Sequence, residues 1–113
     1  MSSAIWTGFS GKKYSYQVFE MGTNFKDIPG NYIYAKKTNT GTWKALYIGQ
    51  TSSLGNRLGD HEKEGCAKRN GATHIHAHSS PSSEQTRKIE EVDLIKNYSP
   101  ACNEQHVKSM AFS

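Results

Sequence analysis

The chain has 113 residues, of which 35% are apolar, and a mean hydropathy of −0.75. That suits one modest core rather than two domains. No apolar run approaches the roughly 20 residues a spanning helix needs, and Met1-Ser2-Ser3-Ala4-Ile5-Trp6 carries no hydrophobic signal core, so a cytoplasmic protein without membrane contact is expected. The net charge of +4 and pI near 9.1 lean toward a polyanionic partner, although excess charge alone is weak evidence.

In chain order, Gly8 and Gly11 read as turns, and residues 14–21 are β-branched and aromatic enough for a strand. Asp27-Ile28-Pro29-Gly30 is a second break. Tyr32-Ile33-Tyr34-Ala35 alternates, with both tyrosines on one face. Thr38-Asn39-Thr40-Gly41 supplies a turn, and 43–49 returns as the partner strand. Strict alternation there places Trp43, Ala45 and Tyr47 opposite Leu46 and Ile48.

A helix is expected over 53–68 despite Gly55 and Gly59, then a short strand over 72–78. Ser82, with Gln85 three residues on, resembles a capping box opening a second helix that runs to about Tyr98, and Pro100 ends it. The order β-β-α-β-α, with an extra N-terminal strand, predicts a compact α/β sandwich. Cys66 and Cys102 fit no metal-ligand spacing. In a reducing cytosol they are expected as free thiols.

Polar residues sit where core residues belong. Leu54, Arg57, Leu58 and His61 follow i, i+3, i+4, i+7 and fall within an arc of roughly 100°. Either Arg57 and His61 snorkel at the core rim, or they serve a site. In the second helix Ile89, Val92, Leu94, Ile95 and Tyr98 define an apolar side. Glu91 falls inside it, about 20° from Tyr98 and about 40° from Ile95, with Glu90 beyond its edge. A carboxylate turned toward a core needs a cation, either a side chain such as Arg57 or a divalent metal. A carboxylate, an arginine and tyrosine hydroxyls are groups that phosphodiester cleavage uses.

Taken as an ordered set, Gly30-Asn31-Tyr32, Tyr47-Ile48-Gly49, Leu54-Gly55-Asn56-Arg57-Leu58, Glu91 and Tyr98-x-Pro-x-x-Asn103 resemble the GIY-YIG nuclease family over about residues 28–105. The resemblance implies a central three-stranded, mostly antiparallel sheet flanked by helices. Residues 1–27 would form an N-terminal extension, 28–105 the nuclease domain and 106–113 a tail. It implies an endonuclease leaving 5′-phosphate and 3′-hydroxyl ends, with DNA the expected nucleic acid. Glu91 would bind one Mg²⁺ or Mn²⁺, Tyr32 with Tyr47 would help activate water, and Arg57 would hold the scissile phosphate. His61 would contact phosphate or transfer a proton, and Gly49 and Asn103 would support the site, Asn103 by hydrogen bonding.

Two positions depart from the family pattern. Asn31 stands where a small aliphatic residue is usual, and Gln50 where many relatives carry lysine. Alternatives are a nucleic-acid-binding module without turnover, or a nuclease preferring RNA or branched DNA. No appended recognition domain is expected within 113 residues, so a homodimer or a partner chain is a further way to gain specificity. His74, His76 and His78 alternate, so they line one face of a strand. Without an evident fourth ligand, a polar, partly exposed face is a better reading than zinc.

Overall fold

The computed structural model describes residues 2–103, so the tail expected over 106–113 lies outside the described residues. The elements are β1 (Ser3–Thr7), β2 (Lys13–Glu20), β3 (Gly30–Lys37), β4 (Trp43–Thr51), α1 (Leu54–Gly59), α2 (Glu64–Arg69), β5 (His74–Ser79) and α3 (Glu84–Tyr98). One five-stranded sheet runs in the order β1-β2-β5-β3-β4, with every neighbouring pair antiparallel.

The α/β class holds, but the three-stranded central sheet does not. Residues 1–27 supply two strands instead of one, and both continue the sheet. Gly11, at φ 91°, closes the turn between them and donates its amide to the Gly8 carbonyl. β2 then pairs along β5, from Gln17 opposite Ala77 to Glu20 opposite His74. Without it, β5 would expose a row of unpaired amides and carbonyls.

Two apolar layers form, one on each face of the sheet. Tyr32, Tyr34, Leu46, Ile75 and Ala77 pack with Leu54 and Leu58 of α1 and Ala67 of α2. On the opposite face Trp6, Tyr16, Ile33, Ala35, Ala45 and Ile48 pack with Leu94 of α3.

The expected alternation of β4 fails at one residue. Tyr34 pairs with Tyr47, but Ala35 pairs with Ala45, leaving Leu46 as an extra residue in a β-bulge. Leu46 and Tyr47 therefore both turn toward α1 and α2, while Ala45 and Ile48 face α3. Tyr47 shares a face with Tyr32 through its pairing with Tyr34, and the bulge turns Ala45 and Trp43 to the opposite face, where strict alternation would have kept them with Tyr47.

The first expected helix divides in two. α1 is capped by Ser53, whose hydroxyl accepts from the Asn56 amide, and it ends at Gly59 with Asp60 extended beyond it. His61 then turns the chain, its Nδ1 accepting from the Lys63 amide at 2.9 Å. The third helix is capped by Ser83, which accepts from Thr86, instead of Ser82. It closes on Ser99 in the left-handed region at φ 41°, just before Pro100.

The apolar side expected for that helix is also corrected. Ile89 and Val92 are exposed, while Arg87 and Leu94 are its buried residues. Cys66 and Cys102 are joined as a disulfide, so the expectation of free thiols is overturned. α2 and the turn at 101–103 bring the two into one buried patch across a sequence separation of 36, a meeting that spacing could not reveal.

Candidate functional site

The end of β4 gathers the side chains singled out from the sequence. Tyr32 is fully buried on β3, its ring lying across Gly49 of β4. A Cβ at Gly49 would stand 2.5 Å from Cζ and Oη of that ring, so only glycine fits. The Tyr32 and Tyr47 rings stack at 6.2 Å with 30° between their planes. His61 packs edge-on against the rings of Tyr32, Tyr34 and Tyr47.

Hydrogen bonding fixes the proton positions. The Lys63 backbone N–H can only donate, so Nδ1 of His61 is the lone-pair nitrogen and Nε2 carries the hydrogen. Nε2 lies 2.5 Å from Oη of Tyr32 and donates to it. Arg57 Nε donates to the same oxygen at 3.4 Å. With both lone pairs of the phenol engaged, the Tyr32 proton is left to point elsewhere. Burial, reinforced by the Arg57 and Lys63 cations, pushes His61 down to about 4. It is therefore neutral at pH 7, as this tautomer requires.

Burial raises the Tyr32 phenol above its ordinary range, with Arg57 pulling the other way. Tyr47 is raised for the same first reason, again opposed by Arg57. The guanidinium is held chiefly by its bond to Tyr32 and also reaches the Tyr47 hydroxyl. It remains half-buried, with donors to spare.

Glu91 comes to this cluster from the opposite side of the sheet. It lies on one flank of α3 and is half-buried where the Gln50 backbone amide points at its carboxylate. Burial raises its pKa, while the Gln50 amide, Lys88 and Arg57 oppose the shift. Glu91 and Arg57 thus feel one another, yet among the described residues they make no ion pair within 4.0 Å. The site combines one carboxylate, one cation with free donors and two phenols. Mg²⁺ is commonly held by one or two carboxylates, with water and phosphate completing its shell. A lone desolvated carboxylate beside an amide fits such an ion.

Asn103 is nearly buried and bonds the backbone of Ile48 twice, accepting from its amide at 2.8 Å and donating to its carbonyl at 3.0 Å. It grips the edge strand between Tyr47 and Gly49. Asn31 faces α3, away from Tyr32, and donates to the Arg87 carbonyl at 3.0 Å.

Two features escaped the sequence reading. Arg87 is a buried cation whose guanidinium donates to the Gln50 side chain at 3.1 Å and to the carbonyls of Ser80 and Ser82. It thereby ties α3 to the residue whose amide faces Glu91. The available signal was its position two turns before Leu94 on the same helical face. Glu90 is the second. It faces the sheet, accepting from Tyr16 at 2.5 Å and bonding His78 Nε2 at 2.7 Å.

The three alternating histidines do share a face, but α3 covers it. His76 is fully buried and accepts at Nδ1 from the Trp6 indole at 3.0 Å. His78 pairs with Glu90 and, like His74, stays partly exposed. Among the described residues no group of three candidate ligands could hold a metal ion, and no helix is long and apolar enough to cross a membrane. No family model, curated protein or solved structure matches the chain.

Proposed function

We propose that this chain is a metal-dependent endonuclease of the GIY-YIG kind, hydrolysing DNA phosphodiester bonds to 5′-phosphate and 3′-hydroxyl ends. The carrying observation is the convergence of Tyr32, Tyr47, Arg57 and His61 with an unpaired Glu91 at one strand end.

In this reading Arg57 binds the scissile phosphate with the guanidinium donors that Tyr32 does not use, and stabilises the charge that develops on it. Tyr32, once deprotonated, is held as a phenolate by the Arg57 and His61 N–H groups and takes a proton from the attacking water. Neutral His61 is a donor that orients the phenol. Glu91 would hold one Mg²⁺ or Mn²⁺, which when bound neutralises charge at the leaving 3′ oxygen. As the water oxygen bonds to phosphorus, the P–O3′ bond breaks and the 3′ oxygen takes a proton from solvent.

The test is nicking of supercoiled plasmid in Mg²⁺ and in Mn²⁺, extended to single-stranded, four-way DNA and RNA substrates. Glu91→Gln and Arg57→Ala are each expected to lower the rate by roughly 10²–10³-fold. Because burial keeps Tyr32 protonated, the rate should climb with pH above neutrality. Folded wild-type protein that cleaves none of these substrates in either metal would overturn the proposal.

A further inference from the structure

The exposed apolar side chains are not scattered. Of six large hydrophobic residues exposed among the described residues, Phe9 (71%), Ile89 (61%) and Val92 (48%) line one cleft of about 550 Å³. The cleft runs between the outer face of α3 and the β1–β2 turn. Three lysines, Lys12, Lys88 and Lys96, stand around it.

The floor of the cleft is fixed. The Asp93 carboxylate accepts from the Ser10 amide at 2.9 Å, the Ser10 hydroxyl at 2.7 Å and the Tyr14 hydroxyl at 2.9 Å. Its backbone carbonyl takes the Phe9 amide at 3.0 Å. The only acid lining the cleft is therefore engaged by the protein itself, and the free charge at the rim is positive. Lys88 makes an exposed 4.0 Å contact with Glu84 and a weaker interaction with Glu91 beyond ion-pair distance, which constrain it little.

We infer that this cleft docks an acidic amphipathic helix from a partner protein. Ile89 and Val92, three apart on α3, present an apolar strip to a facing helix. Lys88 and Lys96 flank that strip about 12 Å apart along the helix axis, matching carboxylates two turns apart on the partner.

Single-stranded nucleic acid fits less well. Phe9 is the one exposed aromatic ring in the cleft, Ile89 and Val92 offer bases no stacking surface, and the Lys12 ammonium already lies 5.5 Å over the Tyr14 ring. A second copy of the chain docked face to face would set the three lysines against their counterparts. Asp93 and Glu91 are two residues apart, hence about 200° apart around the helix. A bound partner would leave the Glu91 flank open.

The probe is a fluorescein-labelled 18-residue helical peptide with leucines at i, i+3, i+4 and i+7 spacing and glutamates elsewhere. Its controls are the same peptide with lysine for glutamate, and an oligo-thymidine strand. Anisotropy on the full chain should show the acidic peptide binding at least tenfold tighter than the basic one. Ile89→Lys with Val92→Lys should weaken that binding at least tenfold while circular dichroism and melting stay unchanged. Failure of the acidic peptide to bind at 100 µM, equal binding of the basic peptide or insensitivity to the double substitution would overturn the inference. So would displacement of the peptide by oligo-thymidine. Plasmid nicking by the double variant should match wild type, and because binding is read directly, loss of the nuclease proposal would leave this test intact.

Discussion

Removing the Asn103 side chain probes how the site is held. Asn103→Ala deletes both hydrogen bonds to Ile48, at 2.8 and 3.0 Å. It leaves an amide and a carbonyl unpaired beside a fully buried side chain on the outer edge of the sheet. Each orphaned buried group costs about 1–3 kcal/mol, and partial access of water at an edge places the sum near 3 kcal/mol. For a domain of this size that lowers Tm by roughly 12 °C. Asn103→Asp is the sharper variant. It keeps an acceptor for the Ile48 amide but sets a carboxylate oxygen against the Ile48 carbonyl, so its Tm should fall at least as far. Melting by circular dichroism with the disulfide intact is the assay, with plasmid nicking in parallel. Both variants melting within about 3 °C of wild type would refute the claim that Asn103 secures the strand carrying Tyr47 and Gly49.

Reducing the Cys66–Cys102 disulfide reopens a loop of 36 residues. The chain-entropy estimate for that length is about 4 kcal/mol, so the urea midpoint should drop by roughly 2 M in a phosphine reductant, with Cys66→Ser matching the reduced wild type. Acid should also destabilise the fold. His61 and His76 are both pushed down to about 4, by burial first. The unfolded chain therefore binds protons before the native state does, and stability falls as pH drops from about 6.5 toward 4. By pH 5 each histidine contributes a loss of about 2 kcal/mol. His78 opposes this, since its Glu90 pairing outweighs its burial and raises its pKa. Urea melts at pH 7.5 and pH 5 measure the balance, and an unchanged midpoint in wild type, His61→Gln and His76→Gln would reject it.

Much of this architecture was legible where pattern and chemistry agree. The hairpin of β3 and β4 followed from alternation around Thr38–Gly41, and Arg57 was visible as a polar residue beside the buried Leu54 and Leu58 of α1, whereas His61 lies past the end of that helix and the side assigned to Glu91 includes the exposed Val92. What stayed concealed depends on long-range meetings. That β2 would close the edge of β5 required knowing where β5 lies. The α3 reading failed because Ile89 and Val92 look like core, while the inward positions belong to Arg87 and Glu90. Their partners are Gln50 on β4, His78 on β5 and Tyr16 on β2. The disulfide was hidden for the same reason, since nothing local joins α2 to the residues after Pro100. Those contacts join residues 12 to 74 positions apart, and each becomes visible only once the sheet order is known.

The extra residue at Leu46 has a consequence for how the chain tolerates change in length. The bulge holds one residue that has no partner on β3, so the pairs Ala35–Ala45 and Tyr34–Tyr47 on either side of it do not depend on that residue. Deleting Leu46 would restore regular pairing and leave Tyr47 opposite Tyr34, on the face of Arg57, with only a buried leucine lost from that layer. Insertions and deletions in the preceding turn at Thr38–Gly41 leave the same pairs untouched. Loss of a residue at either place should therefore keep the two phenols together, and only the loss at the bulge should lower stability.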